Sequence, residues 1–541
     1  MPTRRAARGV SGSLRFDRPQ RLPGRLSRRD LIRAGGITVA GVGGAILLGC
    51  GGGETGSGGG GGGGEPQQGG NIRMATLADA NTLDPAFSLS TADIGLAVHL
   101  FDNLIQQQRD LSLKPMLAES WESEDLQHWT FKLRQGATFS HGKPFTADDV
   151  VFTFERLLDP DVGSPGRSSL SFIDRVEKVD DHTVSMTLTG PNAFLPQTLS
   201  LYQGRILPSD VDPGEFATQA RGTGPFRLQE YEPGERAVAT RNPDYWDAPA
   251  PYAETLTVYY IPEPIARAEQ MRAGAVDAVF PLEPSQALSL QGTPGVVVDE
   301  VASGSYLNLA MFCDVEPFSD IRVRHALRAI TNRETVREAV LFGGGELAND
   351  HPISPDDAMW WPDQQIPEQD LDEARKLLDA AGFGNGLTLT LHTSTLVAGI
   401  LELAVTYREL AAPAGVNIEI QRVSEDAYYS TTWLIEPFLA MGWNARNPDE
   451  ALSIVYHSDA AWNEGHYYNP TLDALMESAR GIADEDERRE SYGDIQRILI
   501  EDVPRIIPVF RPIYAAHAEN LHGFGAHPSN WPLFHDAWFD A

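Results

Sequence analysis

Two segments decide the fold of this 541-residue chain: Trp129-Thr-Phe-Lys-Leu-Arg-Gln-Gly136 and Phe145-Thr-Ala-Asp-Asp-Val-Val-Phe152. In the first, apolar and polar residues alternate up to a glycine, which is the pattern of a half-buried strand. In the second, Thr146 precedes two aspartates and apolar residues at helical spacing, so we expect a helix capped by Thr146 and ended by Pro160. A strand followed soon afterwards by an amphipathic helix predicts mixed α/β structure.

The same interleaving of strand and helix patterns extends through the rest of the chain. Alternating or helical spacing predicts strands at 184–188, 387–391 and 416–420, and helices at 371–381, 397–412 and 484–503. The succession of helix and strand between 371 and 420 indicates strands joined by crossover helices. These patterns favour an α/β protein over an all-helical or all-β one.

The amino-terminal residues have the pattern of an export signal. Ten arginines precede Cys50, and Arg28-Arg29 lies ahead of an apolar run, 34–48, that is too short to span a membrane. The arginine pair resembles a twin-arginine signal, although the general export route stays open, and Leu47-Leu-Gly-Cys50 resembles a lipidation site. We therefore expect a signal peptide over 1–49, a lipidated Cys50 and a glycine-rich tether over 50–70.

Composition limits the partners of the mature chain. Removal of 1–49 leaves 33 basic and 73 acidic residues, a net charge of −40. Such an acidic surface repels nucleic acid and anionic lipid. We therefore expect contact with a membrane through the lipid anchor alone. Cys313 is then the single remaining free thiol, and we expect it to be a buried residue rather than a nucleophile. The hydrophobic content of 42% and the length predict two or three domains.

Motifs for catalysis are absent from the sequence. No Gly-x-Ser-x-Gly, His-Glu-x-x-His or phosphate-binding loop occurs, so no catalytic residue and no cofactor are predicted. Four histidines near the end lie in a segment with glycine and proline, at spacings that do not suit one helical turn: His517, His522, His527 and His535. We therefore predict no metal site there. Aromatic residues between 428 and 468 instead suit a cleft for an organic solute.

Several motifs give the chain a family resemblance. They are Leu113-Lys-Pro-Met-Leu-Ala-Glu-Ser-Trp121, the two segments quoted first, Gly222-Thr-Gly-Pro-Phe226 and Arg241-Asn-Pro-Asp-Tyr-Trp246. Together they resemble the bacterial extracellular solute-binding proteins of family 5, the peptide- and nickel-type receptors of ABC importers. The resemblance extends from about residue 82 to about residue 513, which is nearly the whole mature chain.

This resemblance implies an α/β fold: a two-lobed, periplasmic-binding-protein-like clam of type II with an extra domain inserted in the first lobe. The first lobe would take 71–100, 205–301 and 504–541, the inserted domain 101–204 and the second lobe 302–503. The crossings between lobes would lie near Val301 and Pro504. A small organic solute, peptide-like or otherwise, would bind between the lobes of a monomer at the outer face of the cytoplasmic membrane. The partners would be an ABC permease and its ATPase.

The resemblance also implies a set of ligand-binding residues: Ser90, Thr91, Tyr306, Asn308, Tyr428, Trp443, Asn444, Arg446, Trp462 and Asn463. In the peptide-binding members, a motif resembling Gly-Trp-x-x-Asp supplies an aspartate that pairs with the amino terminus of the peptide. Here the motif is Gly442-Trp443-Asn444-Ala445-Arg446, with arginine at or beside the place of that aspartate.

An arginine there would repel an ammonium group and hold a carboxylate instead. We therefore expect a solute without an exposed amine, either acidic or sugar-like. Two other interpretations of the motif stay open, namely that Asp449 takes the role of the aspartate and that Arg446 faces solvent. At the level of function, the chain is expected not to be an enzyme; the alternatives are an exported hydrolase or lyase and a receptor for nickel or a metal chelate.

Overall fold

Three β-sheets of four or more strands and two further strand pairs organise the chain in the computed structural model, which describes residues 65–540. The predicted signal peptide, the lipidated Cys50 and the tether up to residue 64 lie outside the described residues. No helix between residues 65 and 540 is long and apolar enough to cross a membrane. The described residues belong to one compact unit.

Strands alternate with helices along the whole described range, as the sequence predicts. In chain order the strands are β1 (Asn71–Thr76), β2 (Ile105–Gln107), β3 (Leu113–Pro115), β4 (Ala118–Glu122), β5 (His128–Leu133), β6 (Ile173–Asp180), β7 (Thr183–Leu188), β8 (Phe226–Glu232), β9 (Arg236–Arg241), β10 (Thr255–Tyr260), β11 (Ala278–Leu282), β12 (Val296–Val301), β13 (Tyr306–Met311), β14 (Glu346–Leu347), β15 (Leu387–Thr393), β16 (Val416–Arg422), β17 (Phe438–Trp443), β18 (Arg505–Phe510), β19 (Ile513–Ala518), β20 (Leu521–His522) and β21 (Trp538–Phe539).

The α-helices, numbered in the same way, are α1 (Thr91–Leu100), α2 (Ala147–Leu158), α3 (Arg167–Leu170), α4 (Leu195–Thr198), α5 (Pro264–Arg272), α6 (Pro284–Leu290), α7 (Ile321–Ile330), α8 (Arg333–Leu341), α9 (Leu371–Ala380), α10 (Ile400–Ala411), α11 (Glu425–Thr431), α12 (Pro448–Val455), α13 (Pro470–Ala479) and α14 (Glu485–Asp502). Short 3-10 turns occur at Pro85–Phe87, Tyr202–Gly204, Pro213–Glu215 and Ala412–Ala414.

The first lobe is built on a seven-stranded sheet with the order β12-β19-β11-β1-β10-β9-β8. Strand β1 pairs in parallel with both β10 and β11. Strand β19, from the carboxyl-terminal part of the chain, lies antiparallel between β11 and β12. Three separate stretches of sequence therefore meet in one sheet, which requires the chain to leave this lobe and return to it.

The second lobe is built on a six-stranded sheet with the order β14-β18-β13-β17-β15-β16. Strands β15 and β16 pair in parallel and are joined through α10, so the crossover predicted from the sequence is confirmed. Strand β18 pairs with β13, with Ile506 opposite Leu309. The chain therefore returns to the first lobe after Phe510, not near Pro504, because the buried strand that follows Pro504 completes the second sheet.

A four-stranded sheet, β4-β5-β7-β6, lies within the stretch assigned from the sequence to an inserted domain. Helix α2 packs against this sheet and buries Val150, Phe154 and Leu157. Thr146 is the N-cap residue as predicted, but the capping hydrogen bond is accepted by Asp149 and not by the threonine side chain: the Thr146 backbone N–H donates to the Asp149 carboxylate at 2.9 Å. The helix ends before Pro160. The segments that decide the fold thus form the strand and helix expected of them.

Helix α10 begins later than the helical spacing predicts. Its first residue is Ile400, because Gly399 has a left-handed backbone (φ 94°) that closes the preceding turn. The predicted helices that became α9 and α14 and the strands that became β7, β15 and β16 are confirmed to within a few residues.

Candidate ligand-binding cleft

An open cleft separates the second lobe from the first lobe and the inserted domain. It consists of two adjoining pockets of about 790 and 1140 Å³, counting space open to solvent. The second lobe contributes Ser354, Asp357, Asn444, Arg446 and Arg488, and the opposite side contributes Thr91, Gln107, Gln197, Tyr202, Asn530 and Trp531. Residues far apart in sequence are thus brought to one space.

The loop that carries Arg446 is held at both ends. Strand β17 ends at Trp443, and Asn447 caps α12 by accepting a hydrogen bond from the Glu450 backbone N–H at 2.9 Å. Pro448 occupies the first turn of that helix, where its missing N–H costs nothing. The three intervening residues therefore have little freedom, and Arg446 is positioned between a sheet and a capped helix.

The Arg446 guanidinium lies in the cleft wall, with 16% of its side chain exposed. Its Nη1 atom donates to Glu450 Oε1 at 2.5 Å. The rings of Trp443 and Trp462 lie 6.0 and 5.8 Å from its central carbon, within the range of cation–π attraction. Burial opposes the charge, but nearby Glu450 outweighs it and raises the pKa of Arg446, so the group is cationic. The interpretation that Arg446 faces solvent is wrong.

Asp449 holds the second lobe to the inserted domain. Its carboxylate accepts a hydrogen bond from Asn192 Nδ2 at 2.9 Å and lies 3.0 Å from Arg480 Nε. Asp449 is not one of the described residues that line the two pockets. Since its oxygens already have partners in a buried seam, the structure does not place Asp449 where it would meet the amino terminus of a ligand.

A second cluster of charged and polar side chains lies inside the second lobe, around the fully buried carboxylate of Glu464. The Glu464 carboxylate accepts hydrogen bonds from Arg505 Nη1 and Asn308 Nδ2, both at 2.8 Å, and from the indole N–H groups of Trp443 and Trp433, at 3.0 and 2.7 Å. Asn308, expected at the ligand, is therefore turned into the second lobe. Of the residues in this cluster, Trp443 also lines a small hollow beside Arg446.

Three other residues expected at the ligand also face the interior of the second lobe. Tyr428 is fully buried, and its hydroxyl donates to the Ala440 carbonyl at 2.6 Å. Asn463 donates to the Tyr467 carbonyl at 2.9 Å, and Trp462 packs among the aromatic rings beneath Arg446. Aromatic residues are common both in hydrophobic cores and in ligand-binding clefts. Their clustering in the sequence therefore does not show which of the two they form.

The remaining expected residues lie at or near the cleft. Thr91, Asn444 and Arg446 line it, and Tyr306 borders the small hollow together with Trp443. Ser90 instead caps α1, accepting a hydrogen bond from the Asp93 backbone N–H at 3.1 Å. The structure thus brings five of the ten residues together: Thr91, Tyr306, Trp443, Asn444 and Arg446.

Sequence reasoning missed several cleft residues. Gln197 and Asn530 lie in segments without any family motif, and no signal in the sequence pointed to them. Asp357 lies in a loop rich in proline and aspartate; burial raises its pKa to about 6, and its Oδ1 atom accepts a hydrogen bond from the Met359 backbone N–H at 2.8 Å.

The carboxyl-terminal histidines have separate partners. His522 and His535 pair with Asp540 and Asp536 at 2.8 and 2.9 Å. Within residues 65–540, no group of three or more His, Cys, Asp or Glu side chains is arranged to hold a metal ion. Cys313 follows strand β13 and is partly buried, and burial raises the pKa of its thiol to about 11. A thiol with so high a pKa is protonated at neutral pH and is a poor nucleophile.

Comparison with known proteins identifies the fold and the family. The family model described as bacterial extracellular solute-binding proteins, family 5 Middle, matches residues 112–463. The chain belongs to this family. A dipeptide-binding protein of Pseudomonas aeruginosa is 28% identical over 495 residues, which cover 84% of this chain and 92% of that protein. Protein XP55 of Streptomyces lividans is 30% identical, with 74% and 77% covered.

Solved structures agree with that assignment. The binding protein DppA of Helicobacter pylori, determined with the peptide STSA, has a TM-score of 0.76 at 25% identity and covers 88% of this chain and 99% of its own. As a family 5 solute-binding protein, the chain is a two-lobed receptor of an ABC importer and acts outside the cytoplasm. Its family and relatives bind substrates rather than transform them, and its partners are a small solute and the importer.

Proposed function

We propose that this solute-binding protein delivers to its importer a carboxylate-bearing solute that lacks a free amino group. The supporting observation is the position of Arg446 in the cleft wall, at the place where the resembled peptide receptors carry the aspartate that pairs with the amino terminus. The proposed contacts are Thr91, Tyr306, Trp443, Asn444 and Arg446, with the solute enclosed as the lobes close.

The charges in the cleft favour this solute over a peptide. A peptide ammonium brought to Arg446 would meet a guanidinium in a site of low dielectric, where like charges repel strongly. A carboxylate would form charge-assisted hydrogen bonds with the same group. Glu450 neutralises part of the arginine charge, so the pocket admits a single carboxylate better than a multiply charged anion.

Native mass spectrometry of the purified protein tests this proposal directly. The released solute should contain a carboxylate and fail to react with a reagent for primary amines. Recovery of short peptides with free amino termini would overturn the proposal.

A matched variant tests the charge itself. Arg446→Asp, combined with Glu450→Gln so that two carboxylates do not lie side by side, places an aspartate at the position that the resembled motif gives it. This double variant should gain affinity for tripeptides, whereas Glu450→Gln alone should not. Calorimetric titration measures both, and an equal response of the two variants would contradict the assignment.

We also propose that the receptor is a monomeric lipoprotein, exported by residues 1–49 and anchored through Cys50. A tether keeps a receptor at high effective concentration near its permease without a strong protein contact. Cys50→Ala should release the protein into the soluble fraction with its solute affinity intact, and labelling with a radioactive fatty acid should be lost. Continued labelling of the variant would show that the anchor lies elsewhere.

A further inference from the structure

We infer that the solute carries hydroxyl or amide N–H donors close to its carboxylate, because two residues of the wall opposite Arg446 each carry a buried amide oxygen without a partner among residues 65–540. These residues are Gln197 of the inserted domain and Asn530 of the first lobe. The inference rests on the proposed function and names the class of solute: a polyhydroxy acid or an N-acylated amino acid. These two classes of solute share one chemical feature, a carboxylate flanked by hydrogen-bond donors.

Gln197 is placed on the cleft by the short helix α4 (Leu195–Thr198). It lines both pockets, and among residues 65–540 its buried Oε1 atom has no hydrogen-bond partner. A buried acceptor that lacks a partner costs about 1–3 kcal/mol. Among the described residues, six side-chain amide oxygens are buried in this way, and Gln197 and Asn530 are the two of these residues that line the two pockets of the cleft. The free acceptor and the cleft therefore coincide at one residue.

Asn530 shows the same feature on the first lobe. Its Nδ2 atom donates to Thr91 Oγ1 at 3.3 Å, and its Oδ1 atom is buried without a partner among the described residues. The residue has a left-handed backbone (φ 60°) and its backbone N–H donates to the His527 carbonyl at 2.8 Å. A tight turn thus fixes the amide with its oxygen unpaired beside the same pocket as Gln197.

Arg446 presents the opposite chemistry on the facing wall. Its Nη1 atom is held by Glu450, and its Nε atom is buried without a partner in the described part of the chain. One wall therefore offers a cationic donor and the other offers two acceptors. A simple alkanoate would satisfy the arginine and leave both amides unpaired. A polyhydroxy acid would satisfy all three groups, and an N-acyl amino acid, which has one amide N–H, would satisfy the arginine and one of the amides.

Two matched pairs of acids test this inference by calorimetry with the mature protein. Gluconate is compared with hexanoate, and N-acetylalanine with 2-methylpentanoate, so that within each pair the carboxylate stays and the donors are removed. At least one donor-bearing acid should bind about tenfold more tightly than its alkyl counterpart, because a site built for hydrogen bonds rejects an analogue without them. The pair that shows this preference identifies the class of solute, a polyhydroxy acid or an N-acylated amino acid.

A substitution at Gln197 tests whether the preference for donor-bearing acids comes from the wall opposite Arg446. Gln197→Met removes the acceptor while keeping the length of the side chain, and should reduce the preference to about threefold or less. Gln291→Met, on the exposed surface of the first lobe, is the matched control and should keep it.

The outcomes separate this inference from the function on which it rests. Equal affinity for both members of each pair, with affinity still lost in Arg446→Gln, would overturn the donor requirement and leave the proposed function standing. Failure of all four acids to bind would overturn both. A preference that survives Gln197→Met and Asn530→Gly together would overturn the assignment to these amides, since both acceptors are then absent and glycine tolerates the left-handed backbone of residue 530.

Discussion

Two arginine–glutamate pairs in the second lobe have the same chemistry and different surroundings. Arg505 and Glu464 lie 2.8 Å apart with 1% and 0% of their side chains exposed. Arg446 and Glu450 lie 2.5 Å apart with 16% and 8% exposed. The first pair is enclosed by strands and aromatic rings, whereas the second borders the cleft.

The partners of each carboxylate explain the difference in role. Glu464 accepts four hydrogen bonds, which account for a desolvated carboxylate within its own lobe. Glu450 accepts one from Arg446 and one from Ser169 of the inserted domain, at 2.6 Å. Both arginines have an unpaired Nε, so that feature does not distinguish them; the space next to the guanidinium does. The first pair stabilises the lobe, and the second is available to a ligand.

The largest effect is expected from Glu464→Gln. The amide cannot neutralise Arg505 and brings N–H groups against donors, so the free energy of unfolding should fall by about 3–5 kcal/mol. Glu450→Gln is the matched control and should cost about 1–2 kcal/mol, since water in the cleft can solvate Arg446. Urea denaturation of the mature protein measures both losses, and equal losses would break the distinction between the pairs.

Arg446→Gln should change binding more than stability. Loss of the charge removes the partner of the solute carboxylate, and affinity for the solute should fall about 100-fold, since a hydrogen bond to a charged group contributes about 1.5–3 kcal/mol. The free energy of unfolding, measured by urea denaturation, should fall by no more than about 1–2 kcal/mol, as expected for Glu450→Gln, because both substitutions break the same pair and Ser169 still donates to Glu450. A large loss of stability with unchanged affinity would show that Arg446 is structural, as Arg505 is.

Asp357 offers a test by pH, because it is a cleft carboxylate with few donors. Burial raises its pKa from an ordinary 3.8 to about 6, so the folded protein binds a proton that the unfolded chain releases in this interval. The stabilisation by the protonated form is present at low pH and is lost as pH rises from about 4 to about 6. Relative to Asp357→Asn, the protein should lose about 1–2 kcal/mol over that window, allowing for solvent screening. A difference that stays constant with pH would contradict the raised pKa.

The smallest effect is expected from Ser169→Ala. Removing this hydroxyl deletes one hydrogen bond to Glu450 across the contact between the inserted domain and the second lobe, which should lower solute affinity severalfold. Ser168→Ala, at the neighbouring exposed residue, is the control. Calorimetry compares the two, and identical affinities would show that this contact does not contribute to solute binding.

The elements of the fold were largely predictable because they depend on local patterns. Strand β5 and the capped helix α2 have clear periodicity and a favourable cap, and the crossover through α10 follows from element order. The return to the first lobe was misplaced because Pro504 ends a helix, while membership of β18 in a sheet depends on pairing with β13. Pairing between distant strands leaves no local signal.

The site was less predictable for a related reason. Arg446 was found because its motif departs from a known pattern, and its neighbours Asn444 and Trp443 came with it. Asn308 and Tyr428 have the composition of ligand contacts, but their polar atoms are used by Glu464 and by a backbone carbonyl inside the lobe. Gln197 and Asn530 reach the cleft only through tertiary structure.

The most direct test of the central claim is the ratio of two dissociation constants, measured calorimetrically on the mature protein. The ligands are one tripeptide and its N-acetylated form, which differ only in the charge of the amino terminus. With Arg446 in place of the amine-pairing aspartate, the acetylated form should bind at least tenfold more tightly. Tighter binding of the free-amine form would contradict the claim that Arg446 determines which solute this receptor takes.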